Sequence, residues 1–212
     1  MKMDTERLRH EYDERIAHFP ALTEAVLFTL HKEISREKIQ IHALTHRIKT
    51  FDSFLGKVRR KDIENPILNI HDLLGFRVVC LFLQDIESIK GIIQREFDVF
   101  EENNKIDNTD LDVFGYMSLY CKARLRSETD NQELSAVKDV PFEIQVRTIA
   151  QDAWAAISHY LDYKQEDRLS SKLRRDFYAL SGLFYVADTH FTLLKQEQSK
   201  FFIEEALKRG GT

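Results

Sequence analysis

With 212 residues, 43% of them apolar and 31% charged, the chain is long enough to bury a sizeable core and reads as one globular unit with helical extensions. A net charge of -4 excludes general coating of nucleic acid, so a phosphate ligand has to meet a local basic cluster. Two cysteines, Cys80 and Cys121, lack CxxC spacing and exclude a disulfide framework. The strongest apolar run, Val78 to Leu83, is too short for a bilayer and the N-terminus has no signal core, which implies a cytoplasmic protein.

Residues 4–43 have helical character throughout, with Pro20 marking a break and restart. His42 and His46 fall at i, i+4 on that helix, but no further ligand at metal spacing accompanies them. From Thr45 to Lys61 a basic helix is predicted on which Lys49, Ser53 and Lys57 share one face, with Arg47 just upstream. A solvated basic face is the plain reading of such a run. A hydroxyl between two ammonium groups, with a guanidinium beside them, is also what holding a polyphosphate requires.

Gly75 to Leu83 is a nearly continuous apolar run, the pattern of a central strand covered on both faces. Asp72 stands just before it and Arg77 near its start. An acid there is either a cap or a ligand for Mg²⁺, which needs only one or two protein carboxylates once phosphates and waters complete its octahedron. Asp85 to Glu96 then reads as a helix, Phe97 to Phe100 as a short strand and Glu101 to Asp112 as a polar loop.

In GYMSLYCKARL, from Gly115, alternation puts Tyr116, Ser118, Tyr120, Lys122 and Arg124 on one side of a strand. Ser127 to Asp139 is a polar connection. In FEIQVRT, from Phe142, a second alternating strand turns Glu143, Gln145 and Arg147 to its solvent side. Thr148 is placed to cap a following helix, on which Ile149, Ala153, Ile157 and Leu161 recur at near-helical spacing. If the two strands pair, aromatic, hydroxyl, acidic and basic groups line one surface, enough to stack a base and hold a phosphate. After Lys164 the chain is helical, with Leu173, Phe177, Leu180, Phe184, Ala187, Phe191 and Leu194 as a core-facing or subunit-facing stripe. Phe201 and Phe202 favour a homo-oligomer or docking onto the domain.

Taken in order, RIKTFDSFLGK, HDLLGFRVV, GYMSLY and FEIQVRTIAQDAWAAISHYLDYK resemble the synthetase domain of the RelA/SpoT family over about Arg47 to Lys164. The resemblance implies an α/β (α+β) fold, a mixed β-sheet flanked by helices and similar to nucleotidyltransferases. It divides the chain into N-terminal helices (1–44), a synthetase core (45–165) and a C-terminal helical extension (166–212), as in a stand-alone small alarmone synthetase. The implied reaction moves a pyrophosphate from ATP to the 3′-hydroxyl of GDP or GTP and releases AMP.

By motif, Arg47, Lys49, Ser53, Lys57 and Arg77 would meet ATP, while Asp72 and Glu143 would be the catalytic and Mg²⁺-binding carboxylates. Tyr116, Ser118, Tyr120, Gln145, Arg147, His159 and Lys164 would serve the acceptor, Tyr116 by stacking on its base. Two departures fall on that acceptor half. Asp112 and Phe114 replace the Lys and Asn common in P-K-x-N, and Tyr120 replaces the His of S-L-H. A family member that modifies the 3′ end of tRNA, helped by Arg59, Arg60, Lys61, Lys122 and Arg124, is a second reading. A nucleotide-binding module without turnover is a third, opposed by the retention of both carboxylates and the phosphate cradle.

Overall fold

The structure, a computed structural model, describes residues 5–104, 118–126, 134, 137–160 and 171–210. Helices α1 (Thr5–Ile16) and α2 (Phe19–Arg36) come first, and Pro20 sits in the opening turn of α2, where its missing N–H is no loss. The helix stops at Arg36 instead of continuing to residue 43. Lys38 adopts a left-handed φ of 57°, and the Lys38 and Ile39 amides donate back to the carbonyls of Ser35 and Ile34.

The next element is a strand, β1 (Ile41–Ile48), and not the helix expected there. Pairing overrides local propensity: β1 runs antiparallel to β2 (Leu74–Cys80), with Thr45 opposite Arg77 and Arg47 opposite Gly75. His42 and His46 therefore stand about 13 Å apart along an extended chain, too far to share a metal.

The remaining elements are α3 (Phe51–Lys61), α4 (Pro66–Asn69), α5 (Leu83–Glu96), β3 (Phe97–Asn104), β4 (Leu119–Leu125), β5 (Phe142–Thr148), α6 (Ile149–Tyr160) and α7 (Ser171–Gly210). β3 continues through Asn104 rather than ending at Phe100, because Glu101 to Asn104 pair with Lys122 to Leu119 of β4. The five strands form one mixed sheet in the order β1-β2-β5-β4-β3, in which only β2 and β5 are parallel. The chain leaves the centre after β2, returns from the far edge through the β3–β4 pair, and inserts β5 beside β2.

One face of the sheet is the core. Phe76 and Val78 of β2, Leu119 and Cys121 of β4, and Phe142, Ile144 and Val146 of β5 share a buried cluster with Leu22, Val26 and Leu30 of α2 and Ile86, Ile89 and Ile93 of α5. Burial pushes the thiols of Cys80 and Cys121 up to about 12, so both are unreactive core residues. The opposite face is polar. Register aligns Arg47, Gly75, Glu143, Lys122 and Glu101 in one row and Thr45, Arg77, Gln145, Tyr120 and Asn103 in the next.

The strand-to-helix junction at Thr148 is a reciprocal cap. The Thr148 hydroxyl accepts from the Gln151 amide at 3.1 Å, and the Gln151 side-chain oxygen accepts from the Thr148 amide at 3.0 Å. The buried face of α6 is not the Ile149, Ile157 stripe, whose members are 43% and 49% exposed, but Ala150, Trp154 and Ala155. Trp154 decides the orientation by packing its large ring 4.0 Å from that of Phe177 on α7. Two polar contacts fix α7 further: Thr148 Oγ1 donates to Asp188 Oδ2 at 2.6 Å, and Lys195 Nζ to Asp85 Oδ1 of α5 at 3.0 Å. Leu180, Phe191, Leu194, Phe201 and Phe202 of α7 are exposed. Among the described residues no helix is long and apolar enough to cross a membrane.

Candidate active site

Two carboxylates singled out by the sequence flank this region: Asp72 lies three residues before Gly75, ahead of β2, and Glu143 of β5 stands directly opposite Gly75. Asp72 is clamped between two ammonium groups, with Lys49 Nζ 3.0 Å from Oδ2 and Lys57 Nζ 2.9 Å from Oδ1. Burial by itself would raise the Asp72 carboxyl. The hydrogen bonds and charges of Lys57 and Lys49 outweigh it and hold the group below its ordinary value, so it is a firm anion.

The lysine pair meets on Asp72 by a route other than a common helix face. Lys49 lies in the short link between β1 and α3, and only Ser53 and Lys57 belong to the helix. Thr50 caps α3, its hydroxyl accepting from the Ser53 amide at 3.4 Å and donating to the Ser53 hydroxyl at 3.0 Å. The Lys49 carbonyl in turn accepts from the Tyr12 hydroxyl of α1 at 2.5 Å, while the Tyr12 ring packs on Phe51 and Phe54. The N-terminal helix thereby holds the link that carries Lys49. Arg47 lies over Gly75, its Cγ and Nε 3.9 Å from where a Cβ would stand.

From Glu143 a hydrogen-bonded chain crosses the sheet. Gln145 Nε2 donates to Glu143 Oε1 at 2.8 Å, and Gln145 Oε1 accepts from Arg77 Nε and Nη2, both at 3.3 Å. Arg77 Nη1 reaches Asp152 Oδ1 at 3.1 Å, and the same oxygen takes Arg147 Nη1 at 3.3 Å. Arg147 Nη2 then donates to the Tyr120 hydroxyl at 3.2 Å. The row on β5 is thus not a solvent-side row: Gln145 is 6% and Arg147 1% exposed, because this strand is central and covered on both faces.

Asp152, in the first turn of α6, is absent from the residues that the sequence singles out. Its signal was there, an acid two turns before His159 on a helix leaving the Glu143 strand, but which groups it meets depends on how α6 docks. Ser118 is fully buried beside the network's strand, and His159 is exposed in the last turn of α6, about 10 Å along the helix from Asp152 on the same face. Tyr116, Lys164, Asp112 and Phe114 lie outside the described residues. Among the described residues there is no group of three or more His, Cys, Asp or Glu placed for a metal. Asp72 and Glu143 supply the oxygen donors that a hard cation shared with phosphates would use.

A mixed α+β sheet that sets two lysines on Asp72 and two arginines on Asp152 is equipped to handle phosphate esters. The chain belongs to the RelA/SpoT family: the family described as "Region found in RelA / SpoT proteins" matches residues 46–168. It is 32% identical over 137 residues to GTP pyrophosphokinase YjbM of Bacillus subtilis (strain 168), covering 63% of this chain and 62% of that protein, just under two thirds of the relative's length. To GTP pyrophosphokinase YwaC of the same organism it is 28% identical over 155 residues, 71% of this chain and 72% of that one. The fold matches the crystal structure of small alarmone synthetase 1 from Bacillus subtilis bound to its product pppGpp, with TM-score 0.67 and 25% identity over 91% of this chain and 96% of that one.

Proposed function

We propose that this chain transfers the β,γ-pyrophosphate of ATP to the 3′-hydroxyl of GDP or GTP, giving ppGpp or pppGpp and AMP. The observation that carries the reading is an anionic Asp72 held between Lys49 and Lys57 at the entry to β2. The YjbM and YwaC relatives are named as GTP pyrophosphokinases, which supports the same acceptor here.

In this scheme the acceptor 3′-oxygen attacks the β-phosphorus of ATP. The new O–P bond forms as the bond from that phosphorus to the bridging α,β-oxygen breaks, and AMP leaves with the electron pair. Glu143 takes the proton of the attacking hydroxyl, and Gln145 holds its Oε1 in place. Lys49, Lys57, Ser53 and Arg47 cradle the phosphates, and Arg77 neutralises charge that grows in the transition state. Asp72 and Glu143 are the residues that would hold Mg²⁺, which would supply further neutralisation of the transferred group. On the acceptor side, Tyr116 stacks on the base. Ser118, Tyr120, Gln145, Arg147, His159 and Lys164 shape the remainder.

The test is label transfer from γ-labelled ATP with Mg²⁺ to GDP, GTP, ADP or bulk tRNA, scored together with AMP. Label on the guanosine nucleotides with matching AMP is the expected result. Label on tRNA alone supports the tRNA-modifying reading, and ATP binding without transfer to any acceptor supports the module without turnover. Glu143→Gln is expected to lower transfer by about two orders of magnitude or more while the protein stays folded. A fully active variant removes Glu143 from the role of base.

A further inference from the structure

We infer that Asp152 is a positioning residue that joins the donor and acceptor halves of the site. The inference rests on the pyrophosphate-transfer reading above. Arg77 comes from β2 and Arg147 from β5, and two guanidinium groups this close repel each other unless an anion stands between them. Asp152 Oδ1 is that anion, 3.1 Å from Arg77 Nη1 and 3.3 Å from Arg147 Nη1.

Each arginine then hands the constraint onward. The other nitrogens of Arg77 grip Gln145, which holds Glu143, and the other arm of Arg147 grips the Tyr120 hydroxyl. Arg147 is 1% exposed, so its charge cannot turn to water if the carboxylate is lost, whereas Asp152 is 29% exposed at the edge of the site. One carboxylate thus sets the orientation of a cation serving ATP and of a tyrosine serving the acceptor. The helix cap at Thr148 and Gln151 fixes Asp152 in turn, because it sets where the first turn of α6 begins.

A positioning role and a purely structural one separate in the kinetics. Loss of folded enzyme lowers the apparent kcat and leaves both KM values where they were. Asp152→Asn is expected to raise the KM for ATP and the KM for GDP each threefold or more. Arg77→Lys alone is expected to raise mainly the first, and Tyr120→Phe mainly the second. In a double-mutant cycle, Asp152→Asn added to Arg77→Lys should raise the ATP KM by less than twofold further, since the clamp is already broken.

Asp152→Glu keeps the charge that Arg147 needs and should fall between wild type and Asp152→Asn. The same cycle run with Asp152→Glu carries the test if Asp152→Asn does not fold. Unchanged KM values in the folded variant, or full additivity with Arg77→Lys, overturn the inference. Absence of transfer by the wild-type chain would instead overturn the proposed reaction. Binding of a non-hydrolysable ATP analogue, expected to weaken threefold or more in Asp152→Asn, still reads the clamp in that case.

Discussion

Replacing Asp72 with Asn should make the chain bind metal-free ATP more tightly while making it a far worse catalyst. Both oxygens of Asp72 are engaged by lysines, at 2.9 and 3.0 Å, and these side chains are 13% to 23% exposed. At an effective dielectric of about 20 each contact carries about 5 kcal/mol of Coulomb attraction, and desolvation and side-chain ordering reduce that to a net value of about 1 kcal/mol. ATP phosphates must take both lysines from Asp72, so about 2 kcal/mol opposes binding, a factor of about 30 in affinity.

Asp72→Asn releases both lysines and removes an anion from beside the triphosphate. A non-hydrolysable ATP analogue titrated calorimetrically in the presence of a chelator should therefore bind the variant about 30-fold more tightly than wild type. With excess Mg²⁺ the order should reverse, because the variant lacks the carboxylate that receives the metal as the lysines leave. Transfer should fall by about two orders of magnitude or more. Equal or weaker metal-free binding by Asp72→Asn would refute the reasoning, since it would mean that the Asp72 pairs do not compete with the phosphates.

Tyr12→Phe removes the hydroxyl that holds the Lys49 carbonyl but keeps the ring on Phe51 and Phe54, so it should cost about 1 kcal/mol of stability and raise the KM for ATP with little change in the KM for GDP. Equal shifts in both KM values would dissociate α1 from the donor side. Burial raises the Asp188 carboxyl, with the Thr148 hydrogen bond opposing it in part. A raised carboxyl favours folding below its unfolded value of 3.8, and that contribution is lost as the pH climbs through the folded value. Asp188→Asn keeps an acceptor for Thr148 without the buried charge, so near pH 8 it should melt about 2–4 °C above wild type, with the gap closing towards pH 4. A gap that widens on acidification would contradict the sign.

The elements that could be read from the sequence are those whose evidence is local. Alternation in Phe142 to Thr148 defines β5 because one row packs on the core, and the apolar run after Asp72 defines β2 because a central strand leaves little room for polar side chains. IHALTHRI has no dominant period, so β1 is not legible locally; its state is set by antiparallel pairing with β2, from Ile48 opposite Leu74 to Ile41 opposite Cys80. The Lys49, Ser53, Lys57 spacing predicts a common helix face, whereas the structure brings Lys49 and Lys57 together on Asp72 by another geometry. A capped helix start at Thr50 and the preceding link set both lysines on that carboxylate. On α6 the four-residue recurrence of Ile149, Ala153 and Ile157 is outweighed by Trp154, which is 3% exposed and packs on Phe177 of α7.

This division between local and non-local information also divides the site. The proposed donor side, Arg47 to Arg77, lies within two strands, two helices and their links, so its lysine–aspartate clamp is specified by a single continuous segment. The proposed acceptor side is assembled across three elements, with Tyr120 from β4, Gln145 and Arg147 from β5 and Asp152 from α6, so it depends both on the β4–β5 register and on how α6 docks. Arg77 is the residue that belongs to both, since it lies in the donor segment yet makes its hydrogen bonds to Gln145 and Asp152. Changes at Tyr120 can therefore alter what the acceptor side accepts without disturbing Asp72 and its lysines, provided that the Arg77–Asp152 pair still joins the two halves. Loss of that pair would leave both halves formed but misaligned, which costs rate through geometry rather than through binding alone.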